Sequence, residues 1–76
     1  MIHKILEALA HGRRVFLTDG TVTRLVCASA PAGDDLAVFL DNERHVIIEE
    51  SDFDSVYGLM DSDEGLYIAP VWWIEL

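Results

Sequence analysis

The sequence predicts an α+β domain, in which an N-terminal helix packs on a strongly bent antiparallel sheet of about five strands. Two observations lead to this prediction. Apolar residues at helical spacing begin the chain, and most of the remainder divides into short apolar runs separated by turn-forming residues. A chain of 76 residues accommodates one domain, so we assign residues 1–76 to a single unit.

The helix is predicted at about residues 2–11. Four apolar residues fall at i, i+3, i+4 and i+7 and would line one face of it: Ile2, Ile5, Leu6 and Leu9. Gly12 suits the left-handed backbone position that ends many helices.

A first hairpin is predicted from the segments Arg13–Thr18 and Thr21–Ser29, which flank Asp19-Gly20. Asp-Gly between two strand-like runs is a strong signal for a two-residue turn. With such a turn, Leu17 would lie opposite Val22. Apolar residues occur at both alternating positions of these runs, which indicates a sheet that is covered on both sides or curled on itself.

The remaining elements follow from composition. Ala30–Asp35 is predicted to be a loop. Strands are predicted at Leu36–Leu40 and Arg44–Glu50. Residues 52–60 fit both helical and strand spacing, and we favour a short helical turn that starts at Ser51, followed by a strand. Asp61–Gly65 reads as a polar turn, and Leu66–Leu76 as a last strand in which Pro70 marks an edge, a bulge or a bend.

This order of elements resembles the small SH3-like and Sm-like barrels over most of the chain, and an open curled sheet is the alternative. The strand that leads into Asp-Gly, Val15–Gly20, contributes to the resemblance and is common in unrelated hairpins. Sm-like proteins bind RNA through polar and basic loops. This chain has an acidic run where those loops would fall, so the resemblance implies a fold and not that activity.

Charge is distributed unevenly. The net charge is −9, yet residues 1–18 carry +2 (three cations against one acid), so residues 19–76 carry −11 (thirteen acids against two cations). Eleven of the fourteen acidic residues lie between Asp34 and Glu64. Like charges repel and destabilise a compact state, so folding does not require this imbalance. It disfavours binding to nucleic-acid phosphates and to anionic membranes.

Part of the acidic run has strand-like spacing. Glu50, Asp52 and Asp54 stand at i, i+2 and i+4, so an extended chain would present them on one face at intervals of about 6.6 Å. A regular negative array of this kind would compete with nucleic acid for a basic groove, or it serves only to keep the protein in solution. The candidate partner-binding residues are Asp34, Asp35, Asp41, Glu43, Glu49, Glu50, Asp52, Asp54, Asp61, Asp63, Glu64 and Trp73.

Trp73 joins that set because it follows Trp72 directly. Neighbours on a strand point to opposite faces. One indole can fill the core, and the other can lie at a surface, where tryptophan is a frequent interface anchor.

The sequence contains no recognisable catalytic or metal motif, and we predict no catalytic residue, no metal site and no cofactor. The histidines and Cys27 lack the close spacing of zinc ligands, which indicates surface histidines and a buried thiol. Asp61–Gly65 begins like a calcium-binding EF-hand loop, but its twelfth position is Trp72 instead of glutamate. Neither a Gly-x-Ser-x-Gly motif nor a phosphate-binding loop occurs.

These features predict a small, acidic, non-enzymatic binding or inhibitor protein whose partner is a basic protein surface. In size and charge it is similar to phage-encoded inhibitors that imitate nucleic acid, such as anti-CRISPR and anti-restriction proteins. The alternative is an assembly module that uses apolar surface to form a homodimer, a larger homo-oligomer or part of a complex. A single cysteine and the lack of a signal-type apolar run favour a cytoplasmic location.

Overall fold

The computed structural model describes residues 1–53 and 55–74. For residues 73 and 74 it describes the backbone only. In the described part of the chain the elements are α1 (Ile2–Ala10), β1 (Val15–Thr18), β2 (Thr23–Ala32), β3 (Asp35–Leu40), β4 (His45–Ile48), β5 (Tyr57–Ser62), β6 (Gly65–Pro70) and α2 (Val71–Ile74). The predicted α+β class is confirmed. The sheet has six strands among these residues, rather than about five.

The strands form one mixed sheet in the order β4-β3-β2-β1-β6-β5. The prediction of a purely antiparallel sheet is wrong at one pair, because β1 runs parallel to β6 with Phe16 opposite Tyr67. The β5–β6 hairpin turns at the end of the sheet where β1 begins, so β6 starts beside β1 and runs in the same direction. The sheet is not closed, since β4 and β5 are its two edges. An SH3-like or Sm-like barrel is therefore not confirmed.

The first hairpin does not have the predicted two-residue turn. Leu17 lies opposite Arg24 rather than Val22, and Thr18 lies opposite Thr23, so four residues (19–22) form the connection. The Asp19 side chain explains the longer turn. Its Oδ1 accepts hydrogen bonds from the backbone N–H groups of Thr21 and Val22, both at 2.8 Å, and such local side-chain bonds compete with strand pairing.

Strand β2 is longer than predicted and bent. It pairs with β1 through Thr23–Leu25 and with β3 from Val26 onward. The predicted loop at 30–35 is mostly strand, because β2 continues through Pro31 to Ala32. Pro31 is tolerated there because only β3 pairs with this half of β2, so the missing N–H falls on the unpaired side. An irregular register between Val26 and Ala28 turns Cys27 outward, so the predicted buried thiol is exposed.

Helix α1 ends where predicted, and three of the four predicted stripe residues face the core: Ile5 is buried, and Ile2 and Leu9 pack against it. Its buried side chains are Ile5 and Ala8, whereas Leu6 is 44% exposed. Gly12 has φ +73°. The hydrogen bonds from Gly12 N–H to Leu9 O (3.1 Å) and from Arg13 N–H to Ala8 O (2.9 Å) form a Schellman motif, which satisfies the terminal carbonyls.

The second half of the chain follows the prediction of a short helical turn and then a strand. A 3-10 turn at Glu50–Asp52 precedes β5. The last strand, predicted as Leu66–Leu76, ends at Pro70 and the chain continues as the short helix α2; residues 75 and 76 lie outside the described residues.

The core fills the concave side of the curled sheet. Residues Val15, Val38, Ile48 and Ile68 from four strands are fully buried, together with Ile5 of α1. Helix α1 closes one end of this concave side, the end at which β1 and β6 begin, since Ala8 and His11 lie beside Arg13 and Leu66 there. At the other end lie the β1–β2 turn and the short helix α2, which leave an opening between them.

Candidate functional site

An open groove of about 950 Å³ occupies the end of the concave side opposite to α1. Its floor and walls come from the sheet: Leu17, Leu40, Val46, Tyr57 and Pro70. The outer part comes from the connections around it: Val22, Val56, Val71 and Trp72. The groove has the size and the mostly apolar lining that are typical of ligand sites.

The groove holds a large share of the exposed apolar surface. Six large apolar side chains in the described residues are more than two-fifths exposed, and three of them line the groove: Val22 (47%), Val56 (49%) and Trp72 (59%). The other three lie elsewhere, on α1 (Leu6) and on β3 and β4 (Phe39 and Ile47). Exposed apolar groups that cluster in a groove indicate an interaction site more strongly than scattered ones.

Trp72 is the largest of these groups, and the β1–β2 turn positions it. A Cβ atom added to Gly20 would lie 2.6 Å from Cη2 of the Trp72 indole, so the ring lies directly on the glycine backbone. The N–H of Val71 donates to the Val56 carbonyl at 3.0 Å, which ties the start of α2 to the segment before β5. The position of the indole therefore depends on two connections that are far apart in sequence.

Hydrogen bonds hold the β1–β2 turn in place. Thr18 is 4% exposed, and its Oγ1 accepts from the Gly20 N–H and from the Thr23 hydroxyl, both at 3.1 Å. The two N–H groups of Val22 and Thr21 lower the pKa of Asp19, because they stabilise its carboxylate. Asp19 thus contributes a fixed negative charge to the groove at neutral pH.

Polar groups surround the apolar lining. Arg24 and Asn42 reach the groove from β2 and from the β3–β4 turn. The Arg24 guanidinium lies 3.8 Å from the Asp41 carboxylate, and both side chains are nearly half exposed. Glu43, in the same turn, has φ +67°, an uncommon conformation for this residue type.

The predicted acidic residues do not form one array. Asp41 and Glu43 lie at the groove end of β3, whereas Asp34 and Asp35 lie at its other end, about 20 Å away for a strand of this length. Asp35 directly precedes Leu36 and Glu49 directly follows Ile48, and Leu36 pairs with Ile48, so the two acids share a corner of the sheet. We call Asp34, Asp35, Glu49 and Glu50 the acidic corner.

The ladder expected at residues 50, 52 and 54 is wrong where the structure describes it. Glu50 and Asp52 belong to a 3-10 turn, so they are not extended and do not share the face of a strand. Asp54 lies outside the described residues. The same is true of the Trp73 side chain, and the tryptophan that the structure places at the surface is Trp72.

Some acidic residues have structural partners. Glu50 accepts hydrogen bonds from the Met1 ammonium and from the Ile2 N–H (2.8 Å), and these lower its pKa. Asp61 pairs with Arg13, and the hydrogen bond from that guanidinium lowers the pKa of Asp61.

Glu64 accepts from the Tyr67 hydroxyl at 2.8 Å, and this hydrogen bond raises the pKa of Tyr67. Over the described residues, no ion pair forms at Asp34, Asp35, Glu43, Glu49, Asp52, Asp63 or Glu64.

No group of three or more His, Cys, Asp or Glu in the described ranges lies close enough to hold a metal ion. Within them, neither helix is long and apolar enough to cross a membrane.

The groove residues were not identified from the sequence. The sequence predicts Val22 in a strand and Val56 in a helical turn. It singles out Trp72 only because Trp73 follows it. The available signal was the placement of single apolar residues beside turn-forming ones, Asp19-Gly20 before Val22 and Pro70 before Trp72. Comparison with protein-family models, with curated proteins and with solved structures found no match for this chain.

Proposed function

We propose that this protein is a non-enzymatic binding protein that docks on a basic surface of another protein through its acidic corner. The observation that carries the proposal is the juxtaposition of Asp35 and Glu49 at the ends of two paired strands, with Asp34 and Glu50 beside them. Like charges on neighbouring strands destabilise a sheet. A cluster of this kind therefore costs folding energy, and a basic partner would offset that cost.

A narrower form of the proposal is that the basic surface is a nucleic-acid-binding groove and that the protein blocks it, as anti-CRISPR-like and anti-restriction-like inhibitors do. The net charge of −9 supports this form, because long-range attraction accelerates association with a basic groove. We place such a protein in the cytoplasm, where the single exposed thiol of Cys27 would stay reduced.

Affinity capture with two charge-reversed variants tests the proposal. Asp35→Lys/Glu49→Lys alters the acidic corner, and the control Glu7→Lys/Asp63→Lys makes the same change in net charge elsewhere. Native mass spectrometry should show basic proteins captured by the wild type and the control but not by the corner variant. Capture should also decrease in about 0.5 M NaCl, where the Debye length is about 4 Å.

Two results would contradict the proposal. Equal loss of capture in both variants would mean that total charge, and not the acidic corner, attracts the proteins. Capture that withstands high salt would mean that apolar contacts dominate. Circular dichroism of each variant checks that the fold is retained.

A second candidate function, assembly with copies of itself, rests on a different surface. Phe39 and Ile47 are 41% and 44% exposed on neighbouring strands, and β4 is an edge of the sheet. Unpaired edges and exposed apolar groups both favour association. Sedimentation velocity over a wide concentration range tests this: a dimer that Ile47→Lys abolishes supports it, and a monomer throughout excludes it.

A further inference from the structure

We propose that the groove binds a short segment of the partner protein in which one large apolar side chain is flanked by lysine or arginine. The inference rests on the proposed function in one respect, the basic character of the partner. It adds the place of insertion and the chemistry of the inserted segment.

The apolar part of the segment is inferred from the lining. Leu17, Leu40 and Val46 form the inner wall, and Val56 and Trp72 stand at the mouth, 49% and 59% exposed to solvent. An inserted aromatic or aliphatic side chain would remove these groups from water. Tryptophan is one of the residue types that are enriched at the hot spots of protein interfaces.

Hydrogen bonds and a ring contact hold the described walls of the groove. Asp19 and Thr18 hold the β1–β2 turn by hydrogen bonds, and the N–H of Val71 holds the start of α2 to the Val56 carbonyl. The indole of Trp72 lies on Gly20. A site whose walls are already fixed loses little conformational entropy when a ligand enters.

The basic part of the segment is inferred from the charges around the mouth. Asp19 of the β1–β2 turn and Arg24 of β2 line the groove, and the β3–β4 turn beside it carries Asp41, Glu43 and Arg44. Arg24 already lies near Asp41, and Asp19 is held in its charged form. These five residues leave a net charge of −1 (three acids against two cations), and the whole chain carries −9. This charge favours a cationic segment over an anionic small molecule and over a second copy of the same acidic chain.

Selection of random twelve-residue peptides displayed on phage, with the intact protein as the bait, tests the inference. Enriched peptides should combine an aromatic or aliphatic residue with neighbouring Lys or Arg. Their affinity, measured by isothermal titration calorimetry, should decrease at least about tenfold for Val56→Lys. The matched control is Ile47→Lys, an apolar side chain of similar exposure outside the groove, which should bind within about twofold of wild type.

Three outcomes would overturn the inference: enrichment of no peptide, a consensus without basic residues, or equal binding to Val56→Lys and wild type. A dimer that Val56→Lys disrupts would also overturn it, because the occupant would then be a second copy. Binding of the selected peptides to Asp35→Lys/Glu49→Lys separates the two proposals. If peptides enter the groove of that variant while the wild-type protein captures no basic protein, the groove site stands and the proposed corner function fails.

Discussion

The indole of Trp72 lies on the backbone of Gly20, a contact that joins the first turn of the sheet to the last described helix. Gly20 has φ +93°, and a Cβ at this position would lie 2.6 Å from Cη2 of the indole. Two separate features, the positive φ and the close approach of the ring, thus disfavour other residues at this position. The contact also closes one side of the groove, so the Asp-Gly sequence matters for the candidate site as well as for the turn.

We expect Gly20→Ala to decrease the free energy of unfolding by at least about 2 kcal/mol, from backbone strain together with the collision. Gly33→Ala is the control, because Gly33 also has a positive φ (+65°) but no atom lies within 4 Å of its added Cβ. Urea unfolding should show the larger loss for Gly20→Ala. In a Trp72→Ala background the difference between the two should shrink, and an unchanged difference would mean that the ring does not contact the turn.

Neighbouring residues of β4 test the register of the sheet. Ile48 is fully buried and Ile47 is 44% exposed, because successive side chains on a strand point to opposite faces. Ile48→Ala should destabilise the protein by about 2–5 kcal/mol, and Ile47→Ala by less than about 1 kcal/mol. Chemical unfolding measures both losses. Similar losses, or the reverse order, would show that the strand is shifted by one residue.

The ion pair between Arg13 and Asp61 should contribute to stability in a pH-dependent way. The hydrogen bond from Arg13 lowers the pKa of Asp61 below its ordinary value of 3.8. A lowered native pKa means that the contribution is present above pH 3.8 and is lost as the pH decreases through the native pKa.

The measurement is the melting temperature of wild type and of Asp61→Asn between neutral pH and strongly acidic pH. The wild type should melt higher at neutral pH, and the two curves should converge in acid. Asp63→Asn, two residues away and without an ion pair among the described residues, is the control. A constant gap for Asp61→Asn at all pH values would rule out the charge pair as its cause.

Cys27 should react with a thiol reagent such as Ellman's reagent in the native protein, since its side chain is exposed. The irregular register between Val26 and Ala28 is the reason for that exposure. A Val26→Cys/Cys27→Ser variant provides the comparison, because residue 26 is 4% exposed and should be protected until the protein unfolds. Native Cys27 that reacts only in denaturant would place it in the core.

The sequence was a good guide wherever one residue's own conformational preference decided the structure. Gly12 ends α1 in the left-handed conformation as predicted, and the short helical turn before β5 was also predicted. It was misleading where a side chain competed with the backbone. The Asp19 carboxylate binds two N–H groups and lengthens a turn that the Asp-Gly pair alone would make shorter.

The sequence by itself determined the α+β class, the helix at the start, the approximate positions of most strands and the acidic character. Each of these depends on local periodicity or on composition. Only the tertiary structure decided that β6 lies parallel beside β1, that the acidic residues separate to opposite ends of β3, and that Val22, Val56 and Trp72 meet in one groove. The physical reason is that these relationships join residues up to about fifty positions apart, and pairing between distant strands leaves no trace in a local pattern.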